Sequence, residues 1–130
     1  MQYSVGFFLL FVSCGVLAAG ANNDKLVGTW KWIRPDNRCT ETMTFRGDGT
    51  LSAISGEENT ENKYTLETPL SPGDRYTLTL HVVTDNGGKD CLGSKTDDTG
   101  RTEVVYLEFL SETQMKMCSA SGHCHIWTMH

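Results

Sequence analysis

The densest group of potentially reactive side chains lies near the C-terminus of the chain. It consists of Met115, Met117, Cys118, His123, Cys124 and His125. Thioether, thiolate and imidazole groups are the ligands that copper and zinc prefer. If Cys118 and Cys124 are oxidised, however, neither can supply a thiolate, and methionine at every second position is ordinary in a strand. We therefore predict no metal site and no cofactor.

A second group is acidic and occupies a long stretch, residues 85–101, rich in Gly, Asp and Lys. Asp85, Asp90, Asp97 and Asp98 could surround a calcium ion, but their spacing matches no EF-hand loop. Asp and Gly together also favour irregular backbone, so we interpret these residues as solvated turn positions. Connections of this length are uncommon in compact domains and are often functional.

Sequence motifs for catalysis are absent. The chain has no nucleophile elbow, no Gly-rich phosphate loop after a strand and no helical pattern that could carry a metal-binding pair. We therefore predict no catalytic residues and expect a protein that is not an enzyme.

The N-terminus indicates where the protein acts. The first 23 residues carry no charged side chain, and their apolar run ends in Ala19-Gly20-Ala21. This pattern predicts a signal peptide over residues 1–21, too short and interrupted for a membrane span, followed by one domain over residues 22–130. We expect a secreted or periplasmic monomer, with a lipid anchor at Cys14 as the less favoured alternative. The net charge of -5 argues against nucleic-acid partners.

Four cysteines follow the leader: Cys39, Cys91, Cys118 and Cys124. An even number in a small exported domain predicts two disulfides, with three possible connectivities. If the strands run as a meander, all four cysteines fall at the same end of the domain. The sequence favours a bridge from Cys39 to Cys91 or to a cysteine of the last hairpin, and leaves that choice open.

The elements that must position these groups are short strands. Apolar residues alternate with polar ones between Gly, Pro, Asn and Asp turns, a pattern typical of all-β sandwiches and barrels. The predicted strands cover residues 26–33, 40–46, 50–55, 63–68, 75–84, 102–110, 114–119 and 123–129. Residues 57–62 are predicted to be a polar loop, and Gly47-Asp48-Gly49 to be a hairpin turn.

Two stretches suggest a family. Leu26-Val27-Gly28-Thr29-Trp30 resembles the glycine-x-tryptophan opening of lipocalin-like (calycin) barrels, and the sequence from Thr44 to Thr50 resembles the Phe and Asp-Gly-Thr hairpin of small secreted members. The resemblance implies an antiparallel up-and-down barrel of about eight strands, with Trp30 at the closed end. The cysteines and the long loop would then lie at the open end.

The same resemblance implies a binding module that holds a small apolar ligand in the barrel or at its open end. The residues expected to line such a cavity are Trp30, Met43, Phe45, Tyr64, Leu66, Leu80, Leu107 and Phe109. One alternative is a module that binds a secreted protein through its end loops, such as an immunity protein or hydrolase inhibitor. A second alternative is an accessory domain without a ligand of its own.

Overall fold

A computed structural model describes residues 24–130, so the predicted signal peptide and Cys14 lie outside the described residues. The eight strands are β1 (Gly28–Ile33), β2 (Thr40–Phe45), β3 (Thr50–Ser55), β4 (Glu58–Glu67), β5 (Tyr76–Asp85), β6 (Thr102–Phe109), β7 (Gln114–Ser119) and β8 (Cys124–Met129). Each strand pairs antiparallel with the next, and β1 pairs with β8 to close the barrel. The predicted fold class, an eight-stranded antiparallel barrel, is confirmed.

One end of the barrel is filled with large apolar side chains. Trp30, Phe45, Leu51, Leu78 and Leu107 are all at most 1% exposed. These residues lie at the end of the barrel that holds the start of β1 and the β2–β3, β4–β5 and β6–β7 connections. Because close-packed side chains leave little void volume, this half of the barrel forms the hydrophobic core and the closed end.

Trp30 closes this end in the way that the sequence predicts. Its indole Nε1 donates a hydrogen bond of 2.8 Å to the carbonyl oxygen of Leu26, so the chain segment before β1 is tied to the core. Gly28 begins the strand at φ +138°, and a Cβ there would lie 3.1 Å from Cε of Met129. This backbone conformation favours glycine, and a larger residue would also require the end of the Met129 side chain to shift.

The prediction that residues 57–62 form a polar loop is wrong. The β3–β4 turn is confined to Gly56 and Glu57, and β4 already begins at Glu58. A register shift at Glu61 and Asn62 adjusts the pairing of β4 with β5. Residues 58–62 escaped prediction because polar side chains occur on both faces of this part of the strand, which removes the apolar alternation that indicates a strand.

Two disulfides lie at the other end of the barrel, where the first, third, fifth and seventh connections meet. Cys39 is joined to Cys91 and Cys118 to Cys124. The predicted number of disulfides is confirmed, and the open choice is decided in favour of Cys39 with Cys91. Two disulfides in so small a domain indicate an oxidising, non-cytoplasmic compartment. Between residues 24 and 130 we find no helix with the length and apolar character needed to cross a membrane.

Candidate functional site

A cavity of about 470 Å³ opens at the disulfide-bearing end of the barrel. Apolar side chains form its lower wall, among them Met43, Leu80, Val105 and Trp127. Polar side chains replace them towards the mouth. The barrel is thus packed in one half and hollow in the other. The inward-facing positions of β2, β4 and β6 change along the strand from large apolar residues to carboxylates, amides and hydroxyls.

The eight residues predicted to line a cavity lie in two different places. Met43 and Leu80 line the open-end cavity. Trp30, Phe45, Tyr64, Leu66 and Leu107 are buried in the packed core instead, and Phe109 packs against that core with its ring centroid 5.1 Å from that of Tyr76.

The cavity also has a polar wall that sequence reasoning missed. Glu58, Thr60 and Asn62 of β4 line it, together with Glu41 of β2 and Glu103 of β6. A signal was present, since Asn62 is in phase with Tyr64 and Leu66 at a period of two residues. Extending that period backwards would have placed Thr60 and Glu58 on the inner face.

Three carboxyl groups meet at one side of the mouth. Carboxylate oxygens of Glu58, Asp85 and Asp98 all lie within 4.8 Å of one another. Burial, together with the negative charges of Asp85, Asp90 and Asp98, raises the pKa of Glu58 to about 7. Chemically the three carboxylates could bind a hard cation such as calcium through oxygen, although calcium normally needs six to eight oxygen ligands.

Asp85 and Asp98 also stabilise the conformation of the long loop, residues 86–101. Asp85 accepts hydrogen bonds from the backbone amides of Gly87 (2.8 Å) and Asp98 (2.9 Å), one on each carboxylate oxygen. Asp98 forms an ion pair of 3.5 Å with Arg101. Asp85 and Asp98, which the sequence predicts to be turn residues, therefore also belong to the group of carboxylates at the mouth. Their spacing in the sequence does not reveal this second role.

A further carboxyl group, Glu41, lines the mouth from β2. Glu41 accepts a hydrogen bond of 3.2 Å from the hydroxyl of Ser55 and lies 3.9 Å from the guanidinium of Arg34. Burial raises the pKa of Glu41, while the Ser55 hydrogen bond and the charge of Arg34 act in the opposite direction. Both β2 and β4 therefore bring a partly desolvated carboxyl group to the mouth.

The rim of the cavity is held in place by the fifth connection, residues 86–101. Cys91 is bonded to Cys39, donates its amide to Ser55 Oγ (3.0 Å) and accepts a hydrogen bond from Asn37 Nδ2 (2.6 Å). At Gly88, a Cβ would lie only 2.3 Å from the carbonyl oxygen of Glu57, so the loop packs tightly on the β3–β4 turn. A rim ordered in advance loses less entropy when a ligand binds.

The sulfur and imidazole group near the C-terminus is used for packing. Cys118 and Cys124 are joined as a disulfide, and the His125 ring stacks on Trp32 with their centroids 3.9 Å apart. The ring centroids of Trp32 and Trp127 are 6.2 Å apart, so tryptophans of β1 and β8 meet where the barrel closes. These contacts support the wall of the cavity formed by β8.

Together the fold and the cavity define a small closed antiparallel β-barrel with one packed end and one open end, an architecture compatible with a lipocalin-like fold. Comparison of the chain with protein-family models, with curated proteins and with solved structures finds no match.

Proposed function

We propose that the protein is a lipocalin-like binding module that takes one small organic molecule into the open end of its barrel, outside the cytoplasm. The observation that carries this proposal is the cavity of about 470 Å³ between the strands. Ligand pockets commonly have volumes of about 300 to 1,000 Å³ and combine apolar walls with a few polar groups. The open half of this barrel has both properties.

The apolar wall supplies the contact area for such a ligand. Met43 and Trp127 are at most 8% exposed yet line the cavity, so they form its walls without reaching bulk solvent. An apolar ring placed against them would leave water, at about 25 cal/mol for each Å² of apolar surface removed. The Cys39–Cys91 disulfide holds the loop at the rim in place, so a ligand can reach this wall without a large rearrangement of the loop.

Binding of the neutral fluorescent probe N-phenyl-1-naphthylamine tests the proposal. Ala53 lines the cavity, so Ala53→Phe should fill it and abolish the fluorescence increase of the probe. Val104→Phe is the matched control, because Val104 is 40% exposed and does not line the cavity. Circular dichroism establishes that both variants fold. Equal probe binding by wild type and a folded Ala53→Phe variant would contradict binding in the cavity.

A further inference from the structure

The cavity mouth is strongly asymmetric in charge. Carboxyl groups line it from four directions: Glu41 from β2, Glu58 from β4, Glu103 from β6, and Asp90 and Asp98 from the long loop. Arg101 is the single basic side chain among the described residues that line this cavity, and it is paired with Asp98 at 3.5 Å. Its side chain is 64% exposed, so much of its charge is directed to solvent. The mouth therefore has a net negative potential.

An uncharged acceptor lies deeper in the same cavity. Asn62 is only 6% exposed and lines the cavity wall. Its Nδ2 donates to Thr60 Oγ1 (2.9 Å) and to the carbonyl oxygen of Leu51 (3.4 Å), whereas its amide oxygen accepts no hydrogen bond from any residue between 24 and 130. No buried side-chain nitrogen or oxygen among residues 24–130 lacks a partner, so this oxygen is open to the cavity, where a donor on an entering molecule can reach it.

From the carboxyl groups, the Asn62 acceptor and the apolar wall, we propose that the cavity selects an organic cation: a protonated amine carried on an apolar, ring-containing body. The amine would lie near Glu58 and Asp98, where it donates to carboxylate oxygens, and the ring would lie against Trp127 and Met43. This inference rests on the proposed binding function and adds to it the charge of the ligand.

The alternatives fit the cavity less well. An anion would lie among carboxylates with Arg101 already paired. A neutral apolar molecule would fill the lower wall but leave the carboxyl groups of the mouth desolvated without a partner, which is costly. A positively charged donor satisfies both requirements, because hydrogen bonds between charged partners are shorter and stronger than neutral ones.

Three probes that share one ring test the inference: 1-naphthylmethylamine, 1-naphthalenemethanol and 1-naphthoate. Binding is measured by calorimetry and by tryptophan fluorescence at pH 7.5 in low salt, with EDTA present to remove divalent cations. We expect the amine to bind about tenfold more tightly than the alcohol, in line with the strength of charge-assisted hydrogen bonds, and the carboxylate to bind weakest. The preference should decrease as salt is added, since the mouth is open to solvent.

Single substitutions test which carboxyl groups cause the preference for the amine over the alcohol. Glu58→Gln and Asp98→Asn should each lower amine affinity several-fold and leave alcohol affinity unchanged. Glu57→Gln is the matched control, because Glu57 is exposed on the adjoining turn and does not line the cavity. Amine binding should also tighten between pH 5.5 and 8 as Glu58 ionises beside Asp85, Asp90, Asp98 and Arg101. Alcohol binding should show no such dependence.

The outcomes separate the two proposals. If alcohol and amine bind equally, or if Glu58→Gln leaves the amine preference intact, the inference about ligand charge is wrong while the binding function stands. If none of the three probes binds a protein that is folded by circular dichroism, and N-phenyl-1-naphthylamine also fails to bind, the binding function itself is wrong.

Discussion

The carboxyl group of Glu58 should make the protein less stable as the pH rises. In the unfolded chain this group ionises near its usual pKa of 4.5, whereas in the folded barrel burial and the neighbouring carboxylates raise its pKa to about 7. Between these two values the folded state binds more protons than the unfolded state. Raising the pH across this window therefore favours unfolding.

The size of the effect follows from the pKa. A change in pKa from 4.5 to about 7 corresponds to at most roughly 3.5 kcal/mol, since one pKa unit is worth about 1.4 kcal/mol. The side chain of Glu58 is only partly buried, so solvent screening reduces this to about 1 kcal/mol. Replacing Glu58 with Gln, which is neutral at every pH, should therefore raise the melting temperature by about 4 °C or more at pH 8. Little change is expected at pH 4.

Thermal unfolding followed by circular dichroism at pH 4, 5, 6, 7 and 8 measures this difference. Glu57→Gln provides the control, because it removes the same charge from an exposed position one residue away. A Glu58→Gln melting temperature that differs from wild type equally at pH 4 and pH 8, or that falls below wild type at pH 8, would refute the reasoning about this site.

Two further predictions concern the two ends of the barrel. Replacing Cys39 and Cys91 with Ser should lower the free energy of unfolding by about 4 kcal/mol, and replacing Cys118 and Cys124 should lower it by about 2 kcal/mol. The difference arises because the first disulfide closes a longer stretch of chain, with sequence separations of 52 and 6 residues. Urea denaturation measures both losses, and equal losses would argue against the chain-entropy explanation. At the closed end, Trp30→Phe should lower the free energy of unfolding by about 1 to 3 kcal/mol, because it removes a hydrogen bond and side-chain volume from the core. Urea denaturation measures this loss too, and an unchanged free energy of unfolding would show that Trp30 does not close the core.

The closed half of the barrel could be predicted from the sequence because its inner face is apolar. In β5, Leu78 lies between Thr77 and Thr79, and in β6 Glu108 separates Leu107 from Phe109, so the period of two residues is clear. The glycine at position 28, two residues before Trp30, predicted the start of the barrel, and its φ of +138° is a backbone conformation that favours glycine.

The open half could not be predicted in the same way because its inner face is polar. Glu58, Thr60 and Asn62 face the cavity while their outward neighbours are also polar, so this part of β4 has the composition of a loop. The carboxyl groups at positions 58, 85 and 98 come from two strands and a long connection, and no sequence spacing brings them together. The cysteines did predict where this end lies, since all four fall at connections on one side of a meander.

Nuclear magnetic resonance of the isotope-labelled protein with 1-naphthylmethylamine tests the central claim most directly. We expect amide shifts that saturate with added amine at cavity positions such as Ser55, Glu58 and Met117, and unchanged signals at closed-end positions such as Leu66 and Leu107. Saturating shifts confined to the closed end or to the outer surface of the barrel, or no shifts with either the amine or the alcohol, would contradict a ligand site in the open half.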